Sequence, residues 1–313
     1  MKAAVTEAFG GIDRIVVRDL SKPTPGPGEV LVRVRAAAMN PLDCKLREGT
    51  FRLIFRVKPP FVLGFDLAGE VEAVGSGVAR LRPGDAVFGT MSRPGAHAEH
   101  AVAGEELLLP KPSRLSFEEA AAVPAAALSA LQLLRDHARL RAGQRVLLNG
   151  AGGGIGTFAI QVARARGARV TAVASARNQE LLRELGADEC LDYAKEDFAR
   201  REAAFDASLD LVPNRSFPEC RRALAPGGTY VTTLPGPGPF FWRALTALPL
   251  FGGRRCRMLM LAPKRADLEE LARLVEEGTL RSVVGEVFPL DAIREAHVRM
   301  QSGHARGKIV VRP

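Results

Sequence analysis

The chain has 313 residues, 47% of them hydrophobic, which suffices for two domains with real cores and excludes a disordered or low-complexity protein. Lys and Arg total 44 against 35 Asp and Glu, a net +9 at pH 7 spread along the sequence. That excess suits a polyanionic cofactor, and although it also allows a nucleic-acid partner, no motif supports one.

Four scattered cysteines, Cys44, Cys190, Cys220 and Cys256, show no metal or redox spacing and suit reduced thiols in the cytosol. No charge-free apolar stretch reaches the roughly 18 residues of a membrane span and the start has no signal-peptide core, so a soluble, cytoplasmic protein is expected. The first third reads as β-rich, with strands over Lys2 to Thr6, Ile15 to Asp19, Val30 to Ala38 and Ala68 to Val74. Pro/Gly clusters such as Pro23 to Gly28 and Arg82 to Asp85 separate them. His97 and His100, in GAHAEHAV, read as packing or surface histidines on opposite faces of a strand. From Ser116 the chain turns helical and Ala-rich, with Ser116 as N-cap and Glu119 three residues on, which marks a domain boundary near residue 115.

The stretch Arg145 to Ser175 then gives strand, glycine turn, helix and strand. Arg145 to Asn149 and Arg169 to Ala174 are apolar runs suited to a buried parallel sheet. From Thr157 a helix buries Phe158, Ile160, Val162 and Ala163, leaves Gln161 outward and stops at Gly167. A glycine turn between strand and helix lets a phosphate approach the backbone, where the unpaired N–H groups and dipole of the helix start bind it. The position closing the second strand lies beside the adenine ribose. A carboxylate there accepts from the 2′-hydroxyl of NAD(H), but Ser175-Ala176-Arg177-Asn178 offers a hydroxyl and a guanidinium, which favours NADP(H).

Further alternation follows: helices over Gln179 to Leu185 and Phe217 to Leu224, and strands over Glu189 to Tyr193, Ala207 to Val212 and Thr229 to Leu234. The fold class is therefore α/β, a doubly wound parallel sheet after a β-rich module. Phe240 to Phe251 reads as a pocket lid or subunit contact, Asp267 to Glu277 as a helix, and Lys308 to Val311 as a strand.

Across nearly its whole length the chain resembles the medium-chain dehydrogenase/reductases, in their zinc-independent quinone-oxidoreductase-like branch. The resemblance rests on PGPGEVLVRVRAAAMNPLDCKLREG, GFDLAGEVEAVGSGV, RLRPGDAVFG, GAHAEHAV, NGAGGGIG, LGAD with LDY and EDF, and GHARGKIVV, in that order. It implies a GroES-like catalytic domain over 1–115 and 264–313 and a Rossmann NADP(H)-binding domain over 116–263. Zinc-dependent relatives carry a Cys at the position of Asn40 and a His at that of Phe65, and their four-cysteine lobe would fall where Val87 to Glu99 holds none, so no metal is expected. Cys44, four residues along, is a poor substitute. Short-chain dehydrogenases share the spacing of Gly150, Gly154 and Gly156, but Tyr193 and Tyr230 lack a Lys four residues on.

By position in the family, Gly152, Gly153, Gly154, Ile155 and Gly156 would hold the pyrophosphate, Ser175 and Arg177 the 2′-phosphate, and Tyr193 would lie near that end. Leu234 would line the nicotinamide crevice, with Met258 and Met260 on its other wall or in the core, and His304, Ala305 and Arg306 would close on the cofactor. Asn40 and Ser129 are the candidate catalytic residues. Asp210-Leu211-Val212-Pro213 departs from the family's Asp-Ala-Val-Gly, and Gly152 replaces a Ser. Without zinc the expected reaction is NADPH-dependent hydride transfer to an electrophilic small-molecule acceptor, a quinone or an α,β-unsaturated carbonyl. The alternatives are an NADPH-binding redox sensor or RNA-binding protein with little turnover, and an enoyl-thioester reductase. Relatives in the branch imply a homodimer.

Overall fold

The computed structural model describes residues 1–233, 236–248 and 251–313. Its strands are β1 (Lys2–Thr6), β2 (Ile15–Asp19), β3 (Glu29–Ala38), β4 (Phe61–Val62), β5 (Asp66–Val74), β6 (Ala86–Thr90), β7 (His100–Gly104) and β8 (Leu108–Pro110), then β9 (Arg145–Asn149), β10 (Arg169–Ala174), β11 (Glu189–Asp192), β12 (Phe205–Asp210), β13 (Leu224–Thr232), β14 (Arg255–Met258), β15 (Val284–Pro289) and β16 (Lys308–Arg312). The helices are α1 (Pro41–Arg47), α2 (Arg52–Phe55), α3 (Phe117–Ala121), α4 (Pro124–Gln132), α5 (Gly154–Ala165), α6 (Gln179–Glu184), α7 (Phe217–Cys220), α8 (Pro237–Leu245), α9 (Arg265–Glu276) and α10 (Ile293–Gln301). They form two compact units. The first comprises Met1–Ala125, Pro263–Gly278 and Ser282–Pro313, the second Ala126–Ala262 and Thr279–Arg281.

The first unit is β-rich and GroES-like. Its larger sheet runs β15-β16-β3-β5-β6-β8, with β7 also paired to β3, and a small sheet runs β2-β1-β4. The ten-residue β3 buries Val30, Val32 and Val34 against Leu67, Val71 and Val87, while Arg33 and Arg35 stay outside. At its far end β3 receives β16 from the returning tail, Ala38 opposite Val310 and Ala37 opposite Val311. Pro41 opens α1, where its missing N–H costs nothing, and Asp43 Oδ2 accepts from the Asn40 backbone N–H at 2.7 Å. In α3 the box expected from Ser116 and Glu119 is present: Ser116 Oγ accepts from the Glu119 N–H at 3.2 Å and Glu119 Oε2 from the Ser116 N–H at 2.9 Å. The two histidines do not share a strand, because β7 begins at His100 while His97 is wholly buried in the preceding loop.

The second unit is a Rossmann sheet. Six strands, all parallel, lie in the order β11-β10-β9-β12-β13-β14. Strand order reverses at β9, whose neighbours β10 and β12 lead opposite ways, and a doubly wound sheet binds ligands beyond the carboxyl ends of strands at such a point. The apolar runs of β9 and β10 are buried except for their first residues. Helix α5 is more deeply set than its one-faced pattern suggests, with every residue from Gly156 to Ala163 buried. Gln161, expected outward, instead donates to the Arg281 carbonyl at 3.0 Å and accepts from the Arg281 N–H at 2.8 Å, because Thr279–Arg281 returns to this unit. The helix expected from Phe217 to Leu224 ends at Cys220; Leu224 is already in β13, opposite Phe205 of β12.

Candidate active site

The candidate residues fall in both units, and each group has its own local order. In the second unit, Gly150 leaves β9 at φ +86°, a conformation that disfavours a side chain, and its Cβ would strike Val212 Cγ2. Gly153 caps α5, and the first helical bond from the turn, Thr157 N–H to the Gly153 carbonyl at 3.0 Å, leaves the N–H groups of Gly154, Ile155 and Gly156 ahead of the ladder. A Cβ on Gly153 would meet only the Gly150 carbonyl at 3.6 Å, so the space in front of the helix start is open. At Gly156 the missing side chain also serves packing, since its Cβ would lie 2.5 Å from the Ala151 backbone.

Ser175 follows β10 and opens the 3-10 turn Ala176–Asn178, with Arg177 exposed on that turn. Asn178 was not assigned a role by sequence reasoning, yet it is buried beside the glycine turn. Its Nδ2 donates to Ser175 Oγ at 3.5 Å, a Cβ on Gly152 would lie 2.5 Å from Nδ2, and its Oδ1 has no hydrogen-bond partner among the described residues. A buried acceptor without a donor, beside free N–H groups and open space, fits a dinucleotide's phosphate and ribose hydroxyls. Tyr193, just past β11, is 57% exposed. Met258 is buried in β14 and Met260 is exposed. Leu234 lies outside the described residues. Ser129 is buried in α4.

A second group that sequence reasoning missed stands at the carboxyl ends of β9 and β12. Asn149 Nδ2 donates to Asp210 Oδ1 at 2.9 Å and to Asn214 Oδ1 at 2.8 Å, and the Tyr230 hydroxyl lies 2.9 Å from Asp210 Oδ2. Burial pushes the Asp210 carboxyl up, and burial together with Asp210 pushes the Tyr230 hydroxyl up. In the sequence Asn149 reads only as the end of a strand and Asp210 only as the start of Asp210-Leu211-Val212-Pro213, and nothing there links the two.

In the first unit, Asn40 follows β3 and enters a polar cluster inside an apolar wall. Asn40 Nδ2 donates to Asp66 Oδ2 at 2.9 Å, while Lys308 Nζ donates to Asn40 Oδ1 and to the Met39 carbonyl, both at 2.6 Å. Asp43, Asp66 and Lys308 are buried and Asn40 is partly so. Burial pushes Asp43 up to about 7, with the Asp66 charge adding and Lys308 opposing. It likewise raises Asp66 and lowers Lys308, each held partly in check by the other. His304, Ala305 and Arg306 occupy the turn between α10 and β16; His304 and Arg306 are exposed and Ala305 packs on the core.

The residues at this place do not fit zinc. A carboxamide held to an ammonium stands at Asn40, Phe65 is a buried ring 5.1 Å from the Phe55 ring, and Lys308 carries the positive charge a cation would bring. Cys44 is turned elsewhere: its Sγ is 3.4 Å from His297 Nδ1, and burial pushes its thiol up to about 12. Among the described residues no group of three or more His, Cys, Asp or Glu could hold a metal ion, and no helix is long and apolar enough to cross a membrane.

A family model described as "Alcohol dehydrogenase GroES-like domain" matches residues 26–132, and one described as "Zinc-binding dehydrogenase" matches 185–311. A spinach (Spinacia oleracea) relative named "Quinone-oxidoreductase homolog, chloroplastic" is 35% identical, over 97% of this chain and 95% of its own. The "Trans-enoyl reductase pgmF" of Aspergillus terreus is 36% identical over 92% of this chain and 87% of its own. The structure of the quinone oxidoreductase from Coxiella burnetii superposes with a TM-score of 0.91 at 32% identity, covering 100% of this chain and 99% of that one. With both units and their order matched, the chain belongs to the medium-chain dehydrogenase/reductase superfamily of oxidoreductases, in its quinone-oxidoreductase-like branch.

Proposed function

We propose that this protein is an NADPH-dependent reductase of quinones or α,β-unsaturated carbonyls that works without zinc. The carrying observation is Asn40: where zinc relatives keep a ligand, this chain holds a neutral carboxamide between Lys308 and Asp66. Such a group donates a hydrogen bond to a carbonyl oxygen but cannot lower an alcohol's pKa, which selects acceptors that are already electrophilic. NADPH, when bound, supplies a hydride. The N–H groups of Gly154, Ile155 and Gly156 bind its pyrophosphate, with Gly152 and Gly153 giving room, and Ser175 and Arg177 select the 2′-phosphate. Tyr193, Met260 and the His304–Arg306 turn carry their family positions in the same reading, and Ser129 is the second polar candidate. Protons come from solvent.

The relative named a trans-enoyl reductase favours a second reading, an enoyl thioester as acceptor. Both are tested by NADPH and NADH oxidation in chelator-treated protein with benzoquinone, a simple enone, crotonyl thioester and an aldehyde. We expect chelator-resistant turnover of the quinone or enone and a KM for NADPH at least about tenfold below that for NADH, the worth of one charge-assisted contact. Turnover confined to the thioester selects the second reading; loss of activity on chelation with return on zinc overturns both.

A further inference from the structure

The polar cluster of the first unit has a feature that packing does not require. Asn40's amide is bonded at both ends to groups of opposite charge: Oδ1 accepts from the Lys308 ammonium at 2.6 Å, and Nδ2 donates to the Asp66 carboxylate at 2.9 Å. A carboxamide looks nearly the same when flipped by half a turn, so a neutral site leaves its orientation open. Here the flip would set the NH2 against an ammonium and the oxygen against a carboxylate. Two charge-assisted bonds would become two repulsions.

We propose that Lys308 and Asp66 are positioning residues that clamp Asn40 in one orientation and polarise it as a hydrogen-bond donor to the acceptor's carbonyl oxygen. Nδ2 carries two hydrogens and Asp66 takes one, which leaves the other for a ligand. Asn40 is the partly buried member of a cluster whose other members, Asp43, Asp66 and Lys308, are no more than 4% exposed. An ammonium on Oδ1 draws electron density from the amide nitrogen and strengthens the remaining N–H as a donor, most when negative charge gathers on the oxygen it faces. Asn40 gives up no proton. Lys308 supplies positive charge beside Asn40, with Asp66 and Asp43 favouring its ammonium form against the burial that lowers it. The backbone holds Lys308 there through β16, whose pairing with β3 sets its depth, and through the Met39 carbonyl.

The inference rests on the reductase reading for its consequence but not for its geometry, and the experiment separates the two. Lys308→Met, Asp66→Asn, Asn40→Ala and the double variant Asn40→Ala/Lys308→Met are compared with wild type in NADPH oxidation by benzoquinone. Each clamp variant is expected to lower kcat about 10- to 100-fold with the KM for NADPH within about twofold. The double variant should be no slower than Asn40→Ala alone, since Lys308 acts through Asn40. Additive losses would overturn the clamp, as would unchanged kcat in a folded Lys308→Met. In parallel, the side-chain amide of Asn40 is followed by 15N NMR, assigned by its loss in Asn40→Ala. Two N–H signals are expected of any Asn amide; in wild type these should be displaced from free-amide shifts and protected from solvent exchange, and in the clamp variants they should move towards free-amide shifts and lose that protection. If wild type turns over none of the acceptors, the reductase reading fails while the amide signals still decide the clamp; signals unmoved in the folded variants refute it. Should Lys308→Met not fold, Asp66→Asn, which keeps the shape and removes the charge, carries both measurements.

Discussion

His97 shows how one side chain couples the first unit to pH. It is wholly buried, against Gly64, where a Cβ would lie 2.5 Å from the ring. Burial, with Lys308 adding, holds its imidazole down from 6.5 to about 4. Between those values the unfolded chain binds a proton that the native one refuses, so stability present near neutrality is lost as pH falls from 6.5 towards 4. Asp43 works the other way. Its carboxyl, raised from 3.8 to about 7, stays protonated in the fold after the unfolded chain has ionised, and its contribution is lost as pH rises through that interval. The two partly cancel in the wild type. A His97→Leu variant removes one of them, so its urea midpoint should gain on wild type as pH is lowered from 7 to 4.5; parallel curves would mean that His97 titrates normally.

At the scale of an element, α5 separates residues that hold the fold from residues reserved for a ligand. A methyl group at Gly153 meets nothing closer than 3.6 Å, whereas one at Gly156 would press on the Ala151 backbone at 2.5 Å. Gly153→Ala should therefore keep its melting temperature and weaken NADPH about tenfold or more by intruding where the phosphate approaches, while Gly156→Ala should cost about 1–3 kcal/mol of overpacking. Calorimetry with a fluorescence titration of NADPH distinguishes them, and a destabilised Gly153→Ala would remove that glycine from the phosphate site. The strands flanking this helix were readable from the chain alone, because β9 and β10 are unbroken apolar runs closed by turns. Gln161 was not, since its partner Arg281 arrives from far along the sequence. Nor was the end of α7, which pairing of Leu224 with β12 decides over local propensity. Among the site residues, the glycines announce themselves by composition. Asn178, Asp66 and Lys308 do not, for their roles come from which distant groups the fold sets beside them.

The two units differ most in how far apart in sequence their partners lie. The second is built chiefly from one continuous stretch, Ala126–Ala262, while the first gathers three. Strand β3 finds β16 only across nearly the whole sequence, with Ala38 opposite Val310. Closing that contact is slow relative to the shorter crossovers joining β9, β10 and β12. Pulsed hydrogen exchange during refolding should accordingly show amides of β9, β10 and β12 protected before those of β16, and simultaneous protection would mean a single cooperative nucleus spanning both units. Before β16 docks, Lys308 is in water, Asn40 has no fixed orientation, and the backbone of Ala37 and Ala38 lacks its partner on that side. A bare strand edge of this kind is a template for pairing with another chain. Arrival of the tail thus covers that edge of β3 and brings Lys308 to Asn40 in one step.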